Sequence, residues 1–468
     1  MNTQANPLQF HNRYATIVRA IVFAGLSCSA QAGWQWSDQV DNLGPTGSES
    51  PFAFPQVGVD PISGIATAAW IDTTTFMNEK VQAVRFTNGQ WGNPETISQK
   101  LEPVGPGNTG PTLIPIRGLA AQVAPGKNGD ATVAWTSLLP DQYALSGTQW
   151  KKAKARWSDP AFTPVENIGL GDPPQIRIGR DQNGITTAVW RGTAADGTHL
   201  IQTSRLKNGR WSQPKTHDQG ANFSEPQLAV CKNGSSMIVW TTYGENWTRI
   251  DGSLFSAGKW KDVDIFFDFD MHSSPSITCS RPGLFNIVWR AYLTKNVKYP
   301  ASFILTTNYV KGKGSKIWLV AEAEGDMLFN PKIASSPTGK DSTIVYEKKT
   351  LLEDGSVMNE LMAIRKESDA WTNPVYIGLS GQHVSAPLVS LDGQGNTTVV
   401  WEDLKALTGQ RHVKATRYSL GQWGSEVNQT TLCENCSSPS LAVDEQGKAW
   451  AVWVANGQVQ SKRGGTLE

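Results

Sequence analysis

The chain has 468 residues, of which 39 % are hydrophobic and 18 % are charged. Its 42 basic and 41 acidic residues nearly balance, which argues against the basic stripe that a nucleic-acid partner or an anionic membrane surface would require. With 44 glycines and 26 prolines, the composition is that of a turn-rich, all-β protein. We expect a monomer with no nucleic-acid partner and no membrane span.

Residues 1–32 are predicted to be a signal peptide. Arg13 and Arg19 precede a short apolar run, and small residues then favour cleavage after Ala32. The apolar run is too short to remain in a bilayer as a permanent helix. We therefore expect a secreted or periplasmic protein. The alternative is a lipoprotein anchored through Cys28, although the leucine before this cysteine is one position out of place for a lipobox.

The rest of the chain is a unit that repeats about every 55 residues. One copy reads PSLAVDEQGKAWAVW and ends at Trp453; another, QIRIGRDQNGITTAVW, ends at Trp190. Apolar and polar residues alternate on both sides of an Asp-x-x-Gly turn, which predicts two strands joined by a hairpin. In the first unit, VQAVRF and QWGNPETI follow as a third and a fourth strand. Four short strands in a repeated unit predict a β-propeller blade.

Two aromatic markers give the number of blades. The second-strand marker has eight positions: Trp70, Trp135, Trp190, Trp240, Trp289, Tyr346, Trp401 and Trp453. The fourth-strand marker has seven positions in the repeats: Trp91, Trp157, Trp211, Trp260, Trp318, Trp371 and Trp423. The missing eighth is Trp36, near the start of the chain. We predict a single eight-bladed propeller whose last blade is completed by an N-terminal strand, which removes exposed sheet edges.

The propeller is predicted to occupy residues 33–468 as one domain. The blades cover approximately 55–98, 117–168, 174–217, 226–266, 275–321, 331–378, 387–428 and 439–462, with 34–41 completing the last. Seven blades are the alternative if the weak unit 331–378 is distorted.

Export makes the remaining cysteines candidates for disulfides. Cys231 and Cys279 occupy almost the same place in successive units, and first strands of neighbouring blades lie side by side, so a bond between them is predicted. Cys433 and Cys436 form a Cys-x-x-Cys without a second pair at zinc-site spacing. A small structural disulfide is expected there, in preference to metal or redox chemistry.

Function is expected on the face that carries the long, dissimilar loops, because variable loops on a rigid scaffold usually build recognition sites. This long-loop face holds the connections from second to third strands and the crossovers between blades; the hairpin face holds the short turns. Aromatic residues outside the regular markers are predicted to stack on a ligand: Trp150, Trp247, Tyr143 and Tyr243. Charged residues directly after the second-strand marker are predicted to line the same mouth: Arg191, Arg290 and Glu402. The alternative for both groups is local packing and ordinary ion pairs.

No cofactor is expected, with Ca²⁺ as the exception to be tested. In DVDIFFDFDMH the carboxylates alternate with apolar residues, and Asp268 and Asp270 are weak candidates for binding a hard cation. The alternative is the solvated face of an outer strand. Arginines that recur in the third strands, Arg85, Arg156, Arg205, Arg365 and Arg417, are expected to have a structural role between sheets.

The repeats resemble those of secreted bacterial propellers of the sialidase-like and lectin-like type. This resemblance implies the fold; the Ser-x-Asp-x-Gly-x-x-Trp boxes of sialidases are absent, so it does not imply their activity. We expect a non-catalytic protein that binds a glycan or another polar ligand on the long-loop face. The alternatives are a platform for protein partners in the envelope and a glycan-active hydrolase or lyase.

Overall fold

A computed structural model gives the fold. It describes residues 33–47, 54–74, 79–98, 114–115, 120–138, 143–164, 174–220, 222–267, 271–293, 301–310, 312–352, 355–367, 370–379, 383–405, 408–424 and 429–466. The predicted signal peptide and the candidate cation ligands Asp268 and Asp270 lie outside these residues. Apart from two short 3₁₀ helices, Lys127–Gly129 and Lys152–Lys154, the described elements are strands.

The strands form eight antiparallel sheets, one for each predicted blade. From the inner to the outer strand, blade 1 comprises Gln56–Val59, Ala66–Asp72, Lys80–Thr87, Gln90–Trp91 and Glu95–Thr96. Blade 2 comprises Ile114–Pro115, Gln122–Pro125, Ala131–Leu138, Tyr143–Lys151, Arg156–Trp157 and Ala161–Pro164. Blade 3 comprises Ile176–Arg180, Thr186–Thr193, His199–Lys207, Arg210–Trp211 and Lys215–Gly220. Blade 4 comprises Gln227–Val230, Ser236–Tyr243, Thr248–Ser256 and Lys259–Phe267.

The remaining blades have the same order. Blade 5 comprises Met271–Arg281, Leu284–Leu293, Ala301–Val310 and Lys313–Glu324. Blade 6 comprises Met327–Ser335, Ser342–Leu351, Val357–Glu367, Ala370–Trp371 and Val375–Leu379. Blade 7 comprises His383–Leu391, Thr397–Leu404, Arg411–Ser419, Gln422–Trp423 and Thr430–Glu434. Blade 8 comprises Cys436–Val443, Ala449–Ala455 and Gln458–Thr466, and its outer strands are Trp34–Trp36 and Asp41–Pro45.

The ring closes as the sequence predicts. Trp34 pairs with Thr466 and Trp36 with Gly464, so the N-terminal strand lies on the outer side of the last third strand. Trp36 has the same register position as Trp91, which pairs with Phe86 in blade 1. A side chain at Gly464 would lie 2.7 Å from the Trp34 ring, so glycine makes room for the closing strand here. The eight-bladed prediction is confirmed.

The inner strands surround the propeller axis. Each contacts the inner strand of the next blade, and that of blade 8 contacts that of blade 1. Among the described residues, each inner strand pairs only with the second strand of its own blade. In blade 2 the inner strand has two parts: Gln122–Pro125 pairs with the start of the second strand, and Ile114–Pro115 pairs with its end. The unpaired side of each inner strand therefore faces the central channel. The inner strands therefore form the wall of the channel.

Arginines of the third strands join neighbouring blades. Five of them stack on an aromatic ring of the following blade, a contact worth about 0.5–2 kcal/mol. The distances from guanidinium carbon to ring centroid are 4.6 Å for Arg85 and Trp150, 3.9 Å for Arg205 and Phe255, 3.8 Å for Arg365 and Tyr418, 4.4 Å for Arg417 and Trp34, and 4.9 Å for Arg463 and Phe86. Two details differ from the sequence prediction: Arg156 lies in an outer strand, and Arg463 belongs to the series.

Trp150 requires a larger correction. It pairs with Ala131 and Trp157, at the end of the third strand next to the short turns, and so lies on the hairpin face instead of the predicted long-loop face. The sequence ALSGTQ before it looks like a loop but is part of the strand. A side chain at Gly147 would lie 3.0 Å from the Trp211 ring of blade 3, so the small residue accommodates a neighbouring blade. Trp150 is a structural residue that packs edge-on against Trp157.

Both predicted disulfides are present. Cys231 and Cys279 join blades 4 and 5 with their α-carbons 5.5 Å apart, and Cys433 and Cys436 close a small loop before blade 8. Among the residues that the structure describes, no helix is long and apolar enough to cross a membrane.

Candidate ligand-binding site

The long-loop face carries an arc of cations and aromatic rings on blades 3 to 6. The cations lie at the starts of inner strands, the ends of second strands and the starts of third strands, where the long connections begin or end. They are Arg177, Arg191, Arg249, Arg290, Lys332 and Lys349. Two of them have carboxylate partners: Arg191 Nε lies 3.0 Å from Glu225 Oε1, and Arg249 Nε lies 2.6 Å from Asp251 Oδ2. The other four make no ion pair with any residue that the structure describes.

Arg290 and Lys349 converge on one aromatic ring. The guanidinium carbon of Arg290 lies 4.4 Å from the centre of the Phe329 ring and 5.2 Å from that of Tyr292, and Lys349 Nζ lies 4.7 Å from the Phe329 ring. Arg290 Nε is buried without a hydrogen-bond partner among the described residues. Burial lowers the pKa of Arg290, and the nearby Tyr292 partly offsets this effect. Two cations and two rings thus lie together between blades 5 and 6.

Arg177 and Lys332 lie in the channel wall. Arg177 pairs with Val189, and Lys332 pairs with Val345. Both partners are the residue directly before the second-strand marker of their blade. Burial lowers the pKa of Arg177, and Glu225 partly offsets it. Burial, followed by repulsion from Arg177, lowers the pKa of Lys332, and Glu347 partly offsets this.

The predicted aromatic residues of blade 4 lie at this face. Trp247 is half-buried, its ring packs against Gly244, and Arg249 lies 5.6 Å from the ring centre. Tyr243 is also half-buried, and its backbone N–H donates to the carbonyl of Asn222 at 3.2 Å. Both keep part of their surface exposed, and Trp247 does so beside a cation.

Three other predicted residues reach this face but are held by the protein. Tyr143 is only 7 % exposed and packs in the core between blades 2 and 3. Glu402 accepts a hydrogen bond from the Ser438 backbone N–H at 2.6 Å and pairs with Arg411 at 3.1 Å. Arg191 also donates to the Phe223 carbonyl at 2.9 Å. These contacts fix loop conformations at the mouth.

No group of three or more His, Cys, Asp or Glu side chains suited to a metal occurs among the described residues. The Ca²⁺ expectation rested on Asp268 and Asp270 and stays a prediction. Glu322, another acidic residue of blade 5, is exposed in its outer strand.

A cavity of about 800 Å³ lies at the other face, on the seam between blades 8 and 1. Phe86, Trp450 and Arg463 line it together with the backbone at Gly464. It is remote from the predicted face, and Arg463 already covers the Phe86 ring.

The sequence did not single out Arg177, Lys332 or Lys349. Alignment of the repeats on the second-strand marker would have found the first two. The aligned inner-strand position holds Gln56, Gln122, Arg177, Gln227, Ser276, Lys332, Leu388 and Ser440. Only two members are charged, and both are cations.

Comparisons with known proteins give no family. No family model matches the chain, and no curated protein matches it. Solved structures similar to it include an ulvan lyase of polysaccharide lyase family PL25, with 10 % identity, a TM-score of 0.47 and coverage of 91 % of this chain and 95 % of that one. An α-L-arabinanase of Penicillium chrysogenum has 13 % identity, a TM-score of 0.40 and coverage of 62 % and 92 %. A microbial sialidase has 11 % identity, a TM-score of 0.34 and coverage of 63 % of each chain. Similarity at this level carries no argument about activity.

Proposed function

We propose that this propeller binds an acidic glycan on its long-loop face. The observation that carries the proposal is the group around Phe329, where Arg290 and Lys349 lie 4.4 and 4.7 Å from one ring without a carboxylate partner among the described residues. Cations at these positions attract carboxylate or sulfate groups, and neighbouring aromatic surface suits the apolar faces of sugar rings.

Half-buried cations without counter-charges support binding of an anion in particular. Arg290 Nε is buried and has no hydrogen-bond partner among the described residues, and an unsatisfied buried donor costs about 1–3 kcal/mol. An anionic ligand group would satisfy it. Trp247 and Tyr243 of blade 4 extend the aromatic surface away from this centre.

The test is a binding measurement with polysaccharides that differ in charge. Calorimetry with an uronic-acid polymer and a neutral polymer of similar length should show binding of the acidic one only. Arg290→Gln and Lys349→Met should each weaken it roughly tenfold, since a charge-assisted hydrogen bond is worth about 1.4 kcal/mol or more. Arg210→Gln removes an exposed arginine of an outer strand and is the matched control. Equal binding of both polymers, or equal loss in the control, would contradict the proposal.

The contact between Arg290 and Tyr292 favours a second candidate, eliminative cleavage of the glycan. Tyr292 would act as the base that removes the proton next to an uronate carboxylate, while Arg290 neutralises that carboxylate. The C–O bond to the departing sugar would break as a C=C bond forms, with the proton passing to the leaving oxygen. Incubation with the uronic-acid polymer should then produce an ultraviolet-absorbing double bond, and Tyr292→Phe should abolish it. Binding without any such product would leave the first proposal standing alone.

The interaction-platform alternative has a different surface. Leu351 and Val357, which flank the loop of blade 6, are 68 % and 43 % exposed. If no polysaccharide binds, these two exposed apolar residues are the ones to replace in co-purification experiments with envelope proteins.

A further inference from the structure

We infer that the cavity between blades 8 and 1 on the hairpin face binds a small organic carboxylate with an apolar body. Arg463 and Lys448 bind the carboxylate, and Ile62 and Phe86 form the apolar wall. The cavity volume of about 800 Å³ lies within the range of roughly 300–1,000 Å³ that is usual for small-molecule sites. This inference does not rest on the proposed function, because the cavity lies on the other face from the group around Phe329.

The arginines that stack between blades usually have their N–H groups bound by the protein itself. Of the four such arginines outside blade 8, three donate from Nη1 to the threonine that pairs with them in the second strand. The distances are 3.1 Å for Arg85 and Thr67, 2.9 Å for Arg365 and Thr343, and 2.7 Å for Arg417 and Thr398. Arg85 and Arg365 also donate to a turn glycine carbonyl of the next blade. The fourth, Arg205, lies 4.0 Å from Asp181 Oδ2.

Blade 8 departs from this arrangement. The residue that pairs with Arg463 is Trp450, whose indole has no hydrogen-bond acceptor. The side chain of Arg463 makes no hydrogen bond or ion pair with the part of the chain that the structure describes. Its guanidinium carbon lies 4.9 Å from the centre of the Phe86 ring, a contact that uses the face of the guanidinium and leaves the N–H groups at its edge unbound. Since Arg463 lines the cavity, these donors are available to a ligand there.

The carboxylate of the blade 8 turn does not neutralise Arg463. In blade 7 the corresponding Asp392 lies 2.7 Å from Arg417 Nη2. Asp444 instead accepts a hydrogen bond from the Lys448 backbone N–H at 2.8 Å and makes no ion pair with any described residue. The side chain of Lys448 is exposed at the cavity, and it also has no ion pair among the described residues. The cavity therefore offers an arginine and a lysine to an anion.

Apolar surface lies beside these cations. Phe86 and Trp450 meet edge-on at 5.7 Å in the cavity wall, and Ile62, on the turn of blade 1, is 60 % exposed. A guanidinium binds a carboxylate through two parallel N–H groups, and burial of an apolar body against the wall adds affinity. The site thus fits a carboxylate carried on an apolar ring or chain better than a free inorganic anion.

The first experiment uses phenylacetate as the probe, with ligand-observed nuclear magnetic resonance of the full chain. Acetate lacks the apolar body and 2-phenylacetamide lacks the charge, so each should bind at least about tenfold more weakly. Arg463→Gln should lower the affinity for phenylacetate roughly tenfold, and Lys448→Met should lower it about threefold or more, because each loses a charge-assisted contact.

Two matched variants serve as controls. Arg85→Gln removes an arginine from the same position of the repeat, where the protein already binds the N–H groups. Lys340→Met removes an exposed lysine that also directly follows a turn glycine. Neither change should alter the affinity for phenylacetate. An equal loss in Arg85→Gln and Arg463→Gln, or binding of acetate as tight as that of phenylacetate, would overturn the inference.

A second readout uses the unmodified protein and so does not depend on how the variants fold. Brief acylation followed by mass spectrometry should show that phenylacetate protects Lys448 but not Lys340. Equal protection of both lysines, or of neither, would overturn the site. The acidic-glycan proposal is tested separately with Arg290→Gln, so failure of phenylacetate to bind refutes the cavity site alone.

Discussion

Replacement of His217 should change how the stability of the propeller depends on pH. His217 lies in the outer strand of blade 3 and faces blade 4. Its Nε2 lies 2.8 Å from Thr203 Oγ1, its Nδ1 lies 3.0 Å from Ser253 Oγ, and its ring meets Trp260 edge-on at 4.7 Å. Burial, with a smaller contribution from Lys215, lowers the pKa of His217 from 6.5 to about 3. The imidazole is therefore neutral in the folded protein at mildly acidic pH.

The lowered pKa of His217 gives the sign and the size of its effect on the free energy of unfolding. Between pH 6.5 and about 3 the unfolded chain binds a proton that the folded protein does not, so the free energy of unfolding falls as the pH falls. At about 1.36 kcal/mol per pH unit, lowering the pH from 7 to 4.5 would cost between 2 and 3 kcal/mol for a fully shielded ring. His217 is half-buried, so we use about 2 kcal/mol. His217→Gln keeps hydrogen-bonding groups but does not titrate, and should lose this part of the pH dependence.

Two measurements check this. Denaturant unfolding of both proteins at pH 7 and pH 4.5 gives the difference between their pH dependences, in which the titrations of all other groups cancel. Nuclear magnetic resonance of protein labelled with ¹³C-histidine gives the pKa directly, because the resonance missing from His217→Gln identifies the residue. A His217 resonance that titrates near 6.5 would refute the reasoning. So would equal slopes for the two proteins.

Three further predictions concern the joints between blades. Arg365→Ala should lower the free energy of unfolding by about 3 kcal/mol, because it removes buried hydrogen bonds and the stack on the Tyr418 ring of the next blade. Replacement of the exposed Arg156 by Ala should change the free energy of unfolding by less than about 0.5 kcal/mol, and denaturant unfolding compares the two variants. Trp36→Ala should cost about 3 kcal/mol and open the seam of blade 8, seen as faster amide hydrogen exchange in its third strand; unchanged exchange would argue against closure by this strand. Removing the disulfide by Cys231→Ser and Cys279→Ser together should cost roughly 4 kcal/mol for a 48-residue separation. A reducing agent should destabilise the unmodified protein by about that much more than it destabilises the variant, which keeps only the Cys433–Cys436 bond.

The architecture was accessible from sequence because the repeat encodes it locally. Alternation of apolar residues around each Asp-x-x-Gly turn indicates which faces of a strand are buried, and the eight markers count the blades. The absence of an eighth fourth-strand marker in the repeats, together with Trp36, gave the closure. Cys231 and Cys279 could be paired because equivalent positions of successive repeats are neighbours in space.

The placement of side chains within this frame was less accessible. Trp150 was assigned to the wrong face because the small residues before it look like a loop, and only packing shows that Gly147 makes room for Trp211 of the next blade. Tyr143 lies at the expected face, but its burial depends on blade 3.

The sequence by itself determined most of the strands, the number of blades and the way the ring closes, since each is a property of one repeat or of the count of repeats. Only the tertiary structure decided which charges are neutralised. Arg191 finds Glu225 and Glu402 finds Arg411, whereas Arg177 and Lys332 are left without an ion pair among the described residues. The physical reason is that the alternation of residues along a strand indicates which side chains are buried. The partner of a charged side chain comes from another strand or blade, and a local sequence pattern does not give the distance between them.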